Sequence, residues 1–256
     1  MIDPAKDYYC VYFTFSACRF EISVNDIPVL RYDDGGSVST RMFINQFVDS
    51  GKNKIKIVML PQDESGFKLT TMGKISVVHV LGGLEKELTE LSYAYDDTNP
   101  LQVVSLDGNF VIANLPFKAS PWSAVEPFPL ADLEREQLNR GFRRLMSLFS
   151  RKDINEIMSA GRSKDDFYIE RYYYPDQERR SYIRNFFSEK FGDPDWQSST
   201  YFESHYQLKE YADARLYSFE LSNLRSPIEL HNPVRKMRVN VPVFFVRREG
   251  EFEWVL

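Results

Sequence analysis

Three histidines, two cysteines and a run of three tyrosines are the residues of this chain with most chemistry to offer. His79, His205 and His231 lie in separate segments, with no ligand spacing to a cysteine or to one another, so they form no zinc signature. His79 shares a strand face with Ile75 and Val77, which predicts a core or rim histidine. His205 follows Glu203 by two residues; on a strand the two side chains share a face, where a carboxylate can orient an imidazole for acid–base work. Polar pairs of that kind are equally ordinary on a solvated sheet. Asp33-Asp34-Gly35-Gly36 and Asp96-Asp97-Thr98-Asn99-Pro100 gather oxygens in loops, but without the alternating ligands of a calcium loop. Both read as exposed turns. No catalytic residue, metal site or cofactor is assigned on these patterns.

Cys10 and Cys18 stand eight positions apart with no Gly or Pro between them. In one extended strand that is about 26 Å, far beyond the roughly 7 Å a disulfide allows between Cα atoms. Free thiols are expected, which suits a reducing compartment. The N-terminus lacks the basic start and apolar run of a secretory leader, and no window approaches the length of a membrane span. A cytoplasmic protein is the expectation, or a periplasmic one if a leader has been removed.

Tyr172-Tyr173-Tyr174-Pro175 is the segment best suited to recognition. Three successive aromatics at a helix end point in three directions, so at least one reaches a surface or a neighbouring domain; packing on the connector around Trp122 is the competing use. Tyrosine offers broad contact at little entropic cost, which favours interfaces. Tyr172, Tyr173 and Tyr174 are therefore the candidate partner-binding anchors, with Asp33 and Asp34 as acidic steering residues. The net charge of −5 at pH 7 shows no basic face for nucleic acid.

The elements that must position these residues fall on either side of a Pro-studded stretch, residues 116–129. Before it, apolar residues recur at every second position; after it they take helical spacing, and then alternate again. Apolar content of 43% and charged content of 27% over 256 residues fit two ordinary domains, 1–115 and 130–256. In the first, Tyr9, Val11, Phe13, Phe15 and Ala17 share a face, and the phase then shifts to Phe20, Ile22 and Val24. A break near Ala17–Arg19 is required. Asn25-Asp26 turns the chain into 29–32, and 41–47 is a further apolar segment. Ser50-Gly51-Lys52-Asn53 leads into 54–60; strands are expected over 67–71, 75–81, 88–95, 103–106 and 110–113, with Asp107-Gly108 turning between the last two. Short strands with frequent turns predict a β-sandwich.

In the second domain Leu138, Phe142, Leu145 and Phe149 mark one face of a helix over 130–149. Helices over 153–160, 164–173 and 176–191 follow, the one at 164–173 opened by a Ser163/Asp166 capping box. Strands over 201–208, 214–221, 235–239, 241–247 and 251–256 complete it, the last two joined at Glu249-Gly250. Helices followed by an antiparallel sheet predict an α+β unit.

The run 22–29 with its Asn25 turn, followed by Ser50-Gly51-Lys52-Asn53 into 54–57, resembles the galactose-binding type of β-sandwich found beside carbohydrate-active enzymes. That likeness implies a glycan-binding accessory module as one alternative. The order of the second half, closing on 244–255, is similar to the cystatin-like cone of nuclear-transport-factor and ketosteroid-isomerase relatives. A cone implies a pocket, and hence a second alternative: a small-molecule enzyme using tyrosines such as Tyr201, Tyr206, Tyr211 and Tyr217 with Asp166 or Glu170. The combination of small accessory folds, many aromatics and mild acidity resembles immunity proteins of bacterial toxin systems, type VI secretion included. The function this implies is occlusion of a protein partner, a cognate toxin or effector, through an interface of about 1,600 Å².

Overall fold

The computed structural model describes residues 5–97, 102–199, 201, 203–221 and 225–256. It is an α+β protein whose chain divides into two compact units, Met1–Ser120 and Pro121–Leu256.

The first unit is a β-sandwich of two four-stranded antiparallel sheets. Its strands are β1 (Tyr8–Ser16), β2 (Cys18–Val24), β3 (Ile27–Tyr32), β4 (Val38–Phe43), β5 (Gly51–Pro61), β6 (Met72–Leu81), β7 (Leu84–Ala94) and β8 (Val104–Ile112). They are ordered β4-β1-β6-β7 in one sheet and β3-β2-β5-β8 in the other. Alternation sorts the faces: Val11, Phe13, Phe15, Ile75 and Val77 point in from the first sheet, and Phe20, Ile22, Ile55, Ile57 and Met59 from the second. Phe15 stacks on Phe20 with ring centroids 3.7 Å apart, joining the two layers.

The phase shift expected near Ala17–Arg19 is where the chain leaves one sheet for the other. Ala17 adopts a left-handed φ of 52° between β1 and β2. Cys10 and Cys18 thereby belong to different sheets; both are free and fully buried, and burial pushes their thiols up to about 12 and about 11. Asn25 and Asp26 take φ values of 51° and 61°, the two-residue mirror-image turn that matches strand twist.

Three expectations for this unit are corrected. Residues 67–71 form a loop and not a strand. The apolar segment at 41–47 is split: β4 ends at Phe43 and Asn45–Phe47 is a 3₁₀ turn. Asp107-Gly108 does not turn; it lies within the continuous strand β8, paired to Lys56 and Ile55 of β5. Gly108 is there for clearance, since a Cβ would come within 3.1 Å of Leu91.

The second unit comprises α1 (Asp132–Ser150), α2 (Ile154–Ala160), α3 (Arg162–Tyr172) and α4 (Asp176–Gly192), followed by strands. β10 (Tyr206–Tyr211), β11 (Leu216–Leu221), β14 (Phe244–Arg248) and β15 (Glu251–Trp254) form an antiparallel sheet in that order. A smaller sheet is ordered β13 (Met237–Asn240), β12 (Glu229–Asn232), β9 (Gln197–Ser198). The sequence did not announce β9 or β12, whose two and four residues are too short to show a period. Leu138, Phe142, Leu145 and Phe149 of α1 pack on the larger sheet, with Phe142 stacked 4.3 Å from Phe219 and Phe149 meeting Trp254 edge-on. The later part of the Pro-rich stretch packs within this unit: Phe128 donates its N–H to Ala214 O, and its carbonyl accepts from the Tyr217 hydroxyl.

Candidate partner-binding surface

The tyrosine run sits where α3 ends. Gly161 closes α2 and also precedes the first residue of α3, so α3 starts without a side-chain cap; the Ser163/Asp166 capping box does not form. Asp166 is exposed instead and paired to Arg180. At the other end Tyr173 adopts the left-handed conformation, φ 56°, with its N–H bonded to Ile169 O. That single reversal directs the chain into Pro175, which precedes α4.

The reversal also sorts the three rings. Tyr172 and Tyr173 are half-buried, and the Tyr173 hydroxyl is enclosed. Tyr174 is 39% exposed. Tyr172 stacks on Tyr168 at 5.8 Å and 19°, and Tyr174 lies 6.0 Å from Tyr172. The Arg179 guanidinium, from the first turns of α4, lies over both Tyr168 and Tyr174, at 5.3 and 5.4 Å. Tyr168, Tyr172 and Tyr174 thus form a ladder of rings held by one cation. Trp122 lies elsewhere, packed edge-on to Phe167 at 5.7 Å.

Lys164 extends this row at its helical N-terminal end. Its ammonium lies 4.6 Å from the Trp254 ring and 5.9 Å from Tyr168, and burial lowers its pKa. Beside it Asp165 is 2% exposed, 3.7 Å from the ammonium, with its pKa raised by burial. Sequence reasoning singled out Tyr172–Tyr174 and missed Lys164, Tyr168 and Arg179. The signal was present: Lys164, Tyr168 and Tyr172 repeat at four-residue spacing, one face of a helix.

Asp33 and Asp34 are exposed between β3 and β4, in the first unit. They and the tyrosines belong to different units, so each set stands as a surface of its own unit.

The remaining sequence candidates are dispersed. His79 is a rim residue, stacked on Tyr9 at 4.9 Å with Nε2 2.5 Å from Asp7 Oδ1. His205 ends a short 3₁₀ turn, Glu203–His205, and not the strand expected there. His231 Nδ1 lies 3.3 Å from Ser199 Oγ. Tyr217 is a core residue whose hydroxyl bonds to main-chain carbonyls, Tyr206 packs on Phe142, and Tyr211 donates to Glu220 at 2.6 Å. Asp166 is exposed and ion-paired to Arg180. Of the Asp96–Pro100 loop, residues 98–100 lie outside the described residues. Among the described residues no group of three or more His, Cys, Asp or Glu is placed to hold a metal ion, and no helix is long and apolar enough to cross a membrane.

The Asn-centred turns behind the sugar-binding likeness are committed to the main chain. Asn25 Nδ2 donates to Phe47 O and to Asn53 Oδ1, while Asn25 Oδ1 accepts from Lys54 N. Asn53 Nδ2 donates to Asp49 O and Gly51 O. Their amides are occupied in fixing turns. No protein-family model, no curated protein and no solved structure matches this chain.

Proposed function

We propose that the protein is a non-catalytic inhibitor that binds a protein partner, a toxin or effector, and covers its active cleft, in the manner of the immunity proteins of bacterial toxin systems. One observation carries this reading: the Tyr168–Tyr172–Tyr174 ladder with Arg179 between two of its rings. Tyrosine and arginine are the residue types on which interface energy concentrates, and rings already fixed in place lose little further entropy on binding. Asp33 and Asp34 act on the approach of a basic partner, where exposed charge changes association rate more than final affinity.

The test is co-expression with each protein encoded next to the gene, read as growth rescue from any that is toxic and as affinity of the purified pair. Tyr174→Ala and Arg179→Ala should each weaken binding at least tenfold and reduce rescue, with the melting temperature little changed. Unaltered affinity in both variants of a folded protein would sink the assignment of this surface.

A further inference from the structure

We infer that the outward face of β4-β1-β6 is a second binding site, for a saccharide carrying a carboxylate. The face is built by register. Tyr12 pairs with Arg41 on β4 and Ser76 on β6; two residues on, Thr14 pairs with Ser39 and Lys74. These six side chains stand on the side of β1 opposite the buried Phe13 and Phe15, and they line a groove of about 300 Å³. That volume is at the small end of ligand sites.

Three features point to the ligand. First, the floor strand β1 is hydrogen-bonded on both sides, so its main chain has nothing left for an extended peptide, and recognition falls to side chains alone. Second, those side chains carry four hydroxyls and two cations; Glu85 and Glu90 of β7 border the groove, Glu85 bonded to Tyr12 and paired with Arg41, Glu90 bonded to Ser76 and paired with Lys74. Third, the heads are pre-set. Arg41 donates to the Tyr12 hydroxyl at 2.9 Å, Tyr12 donates to Glu85 at 2.5 Å, and Thr14 and Ser39 lie 2.8 Å apart. The Lys74–Glu90 and Arg41–Glu85 pairs are about half exposed, and exposed pairs exchange partners at little cost. A ligand carboxylate can therefore take a cation while ring hydroxyls bond to Thr14, Ser39 and Ser76. Nucleic acid fits less well, since it asks for stacking platforms and a basic field on a chain of net charge −5 at pH 7.

The site lies in the first unit and does not depend on the inhibitor reading. The test titrates the ¹⁵N-labelled full chain with an α-1,4-linked galacturonic acid trisaccharide, with the matching neutral galactose trisaccharide, and with sodium acetate. Amide shifts should cluster on β1, β4 and β6 with the acidic sugar. Binding should be at least tenfold weaker for the neutral sugar and for acetate, and at least tenfold weaker for the acidic sugar in R41Q/K74Q. Both residues are half exposed, so the double variant should fold, with K74Q alone as the reserve. Absence of shifts on these strands, equal binding of the neutral sugar or of acetate, or undiminished binding by the folded variants would each overturn the proposal.

Discussion

At the scale of single residues, Asn53 ties together two hairpin ends of the first unit. It is 1% exposed; its Oδ1 accepts from Asp49 N and Asn25 Nδ2, and its Nδ2 donates to Asp49 O and Gly51 O. Asp49 in turn accepts from Ser120 N. Asn53→Ala strands several of these groups at once, and a stranded buried group costs about 1–3 kcal/mol. The expected loss is about 2–3 kcal/mol, measured as a shift of the urea midpoint for the first unit. Asn53→Asp keeps the acceptor but turns lone pairs toward two carbonyls, and should cost as much. Asn25 and Asn53 were legible as turn residues because Asn tolerates such turns. Their mutual bond was not, since it spans 28 positions and depends on how two hairpin ends meet. The same divide runs through the candidate surface. The tyrosines could be seen in the sequence, but the guanidinium that orders them comes from the next helix.

At the scale of elements, the strand faces and helices were readable wherever a period ran long enough. The alternation along β1 located the inner face, and the change of phase located the crossing at Ala17. What the sequence concealed were places where tertiary contact overrides local chemistry. Asp107-Gly108 has the composition of a turn yet runs straight through β8, where both residues pair in register with Lys56 and Ile55 of β5. Ser163 and Asp166 have the spacing of a cap, yet α3 starts directly from Gly161 and leaves Asp166 to Arg180. Gly73 makes this dependence measurable. A Cβ there would sit 2.7 Å from both Met59 Sδ and the Phe15 ring. Met59 can swing aside, but Phe15 is pinned by its stack on Phe20. Gly73→Ala should therefore destabilise by about 2 kcal/mol through overpacking, despite the alanine's better strand entropy. An unchanged or raised denaturation midpoint would show that the two sheets can part more easily than this packing implies.

At the scale of the whole molecule, the two units carry buried ionisable groups of different sign, so alkali should separate them. In the first unit burial pushes Cys10 up to about 12, Cys18 to about 11 and Tyr9 to about 12, the last with a further push from Asp7. Unfolded, these groups ionise near 9 for the thiols and 10 for the phenol. Above pH 9 the unfolded chain therefore binds fewer protons than the folded one, and stability falls progressively as pH rises toward the folded pKa values. In the second unit Tyr217 is a group of this kind, pushed up to about 12 by burial. It also has Lys164, whose pKa burial lowers, so that the unfolded chain retains a proton the folded one has released. That contribution runs the other way, raising stability as pH climbs to 10.5, the ordinary value for lysine. The two effects oppose each other in the second unit and all act together in the first. The first unit should unfold first as pH is raised from 8 to 11.5. The sequence supplies separate reporters, since Cys10 and Cys18 lie in the first unit and Trp122, Trp196 and Trp254 in the second. Thiol labelling, corrected for thiolate fraction, should rise at a lower pH than the red shift of tryptophan fluorescence. Coincident transitions would mean that the two units unfold as one cooperative body.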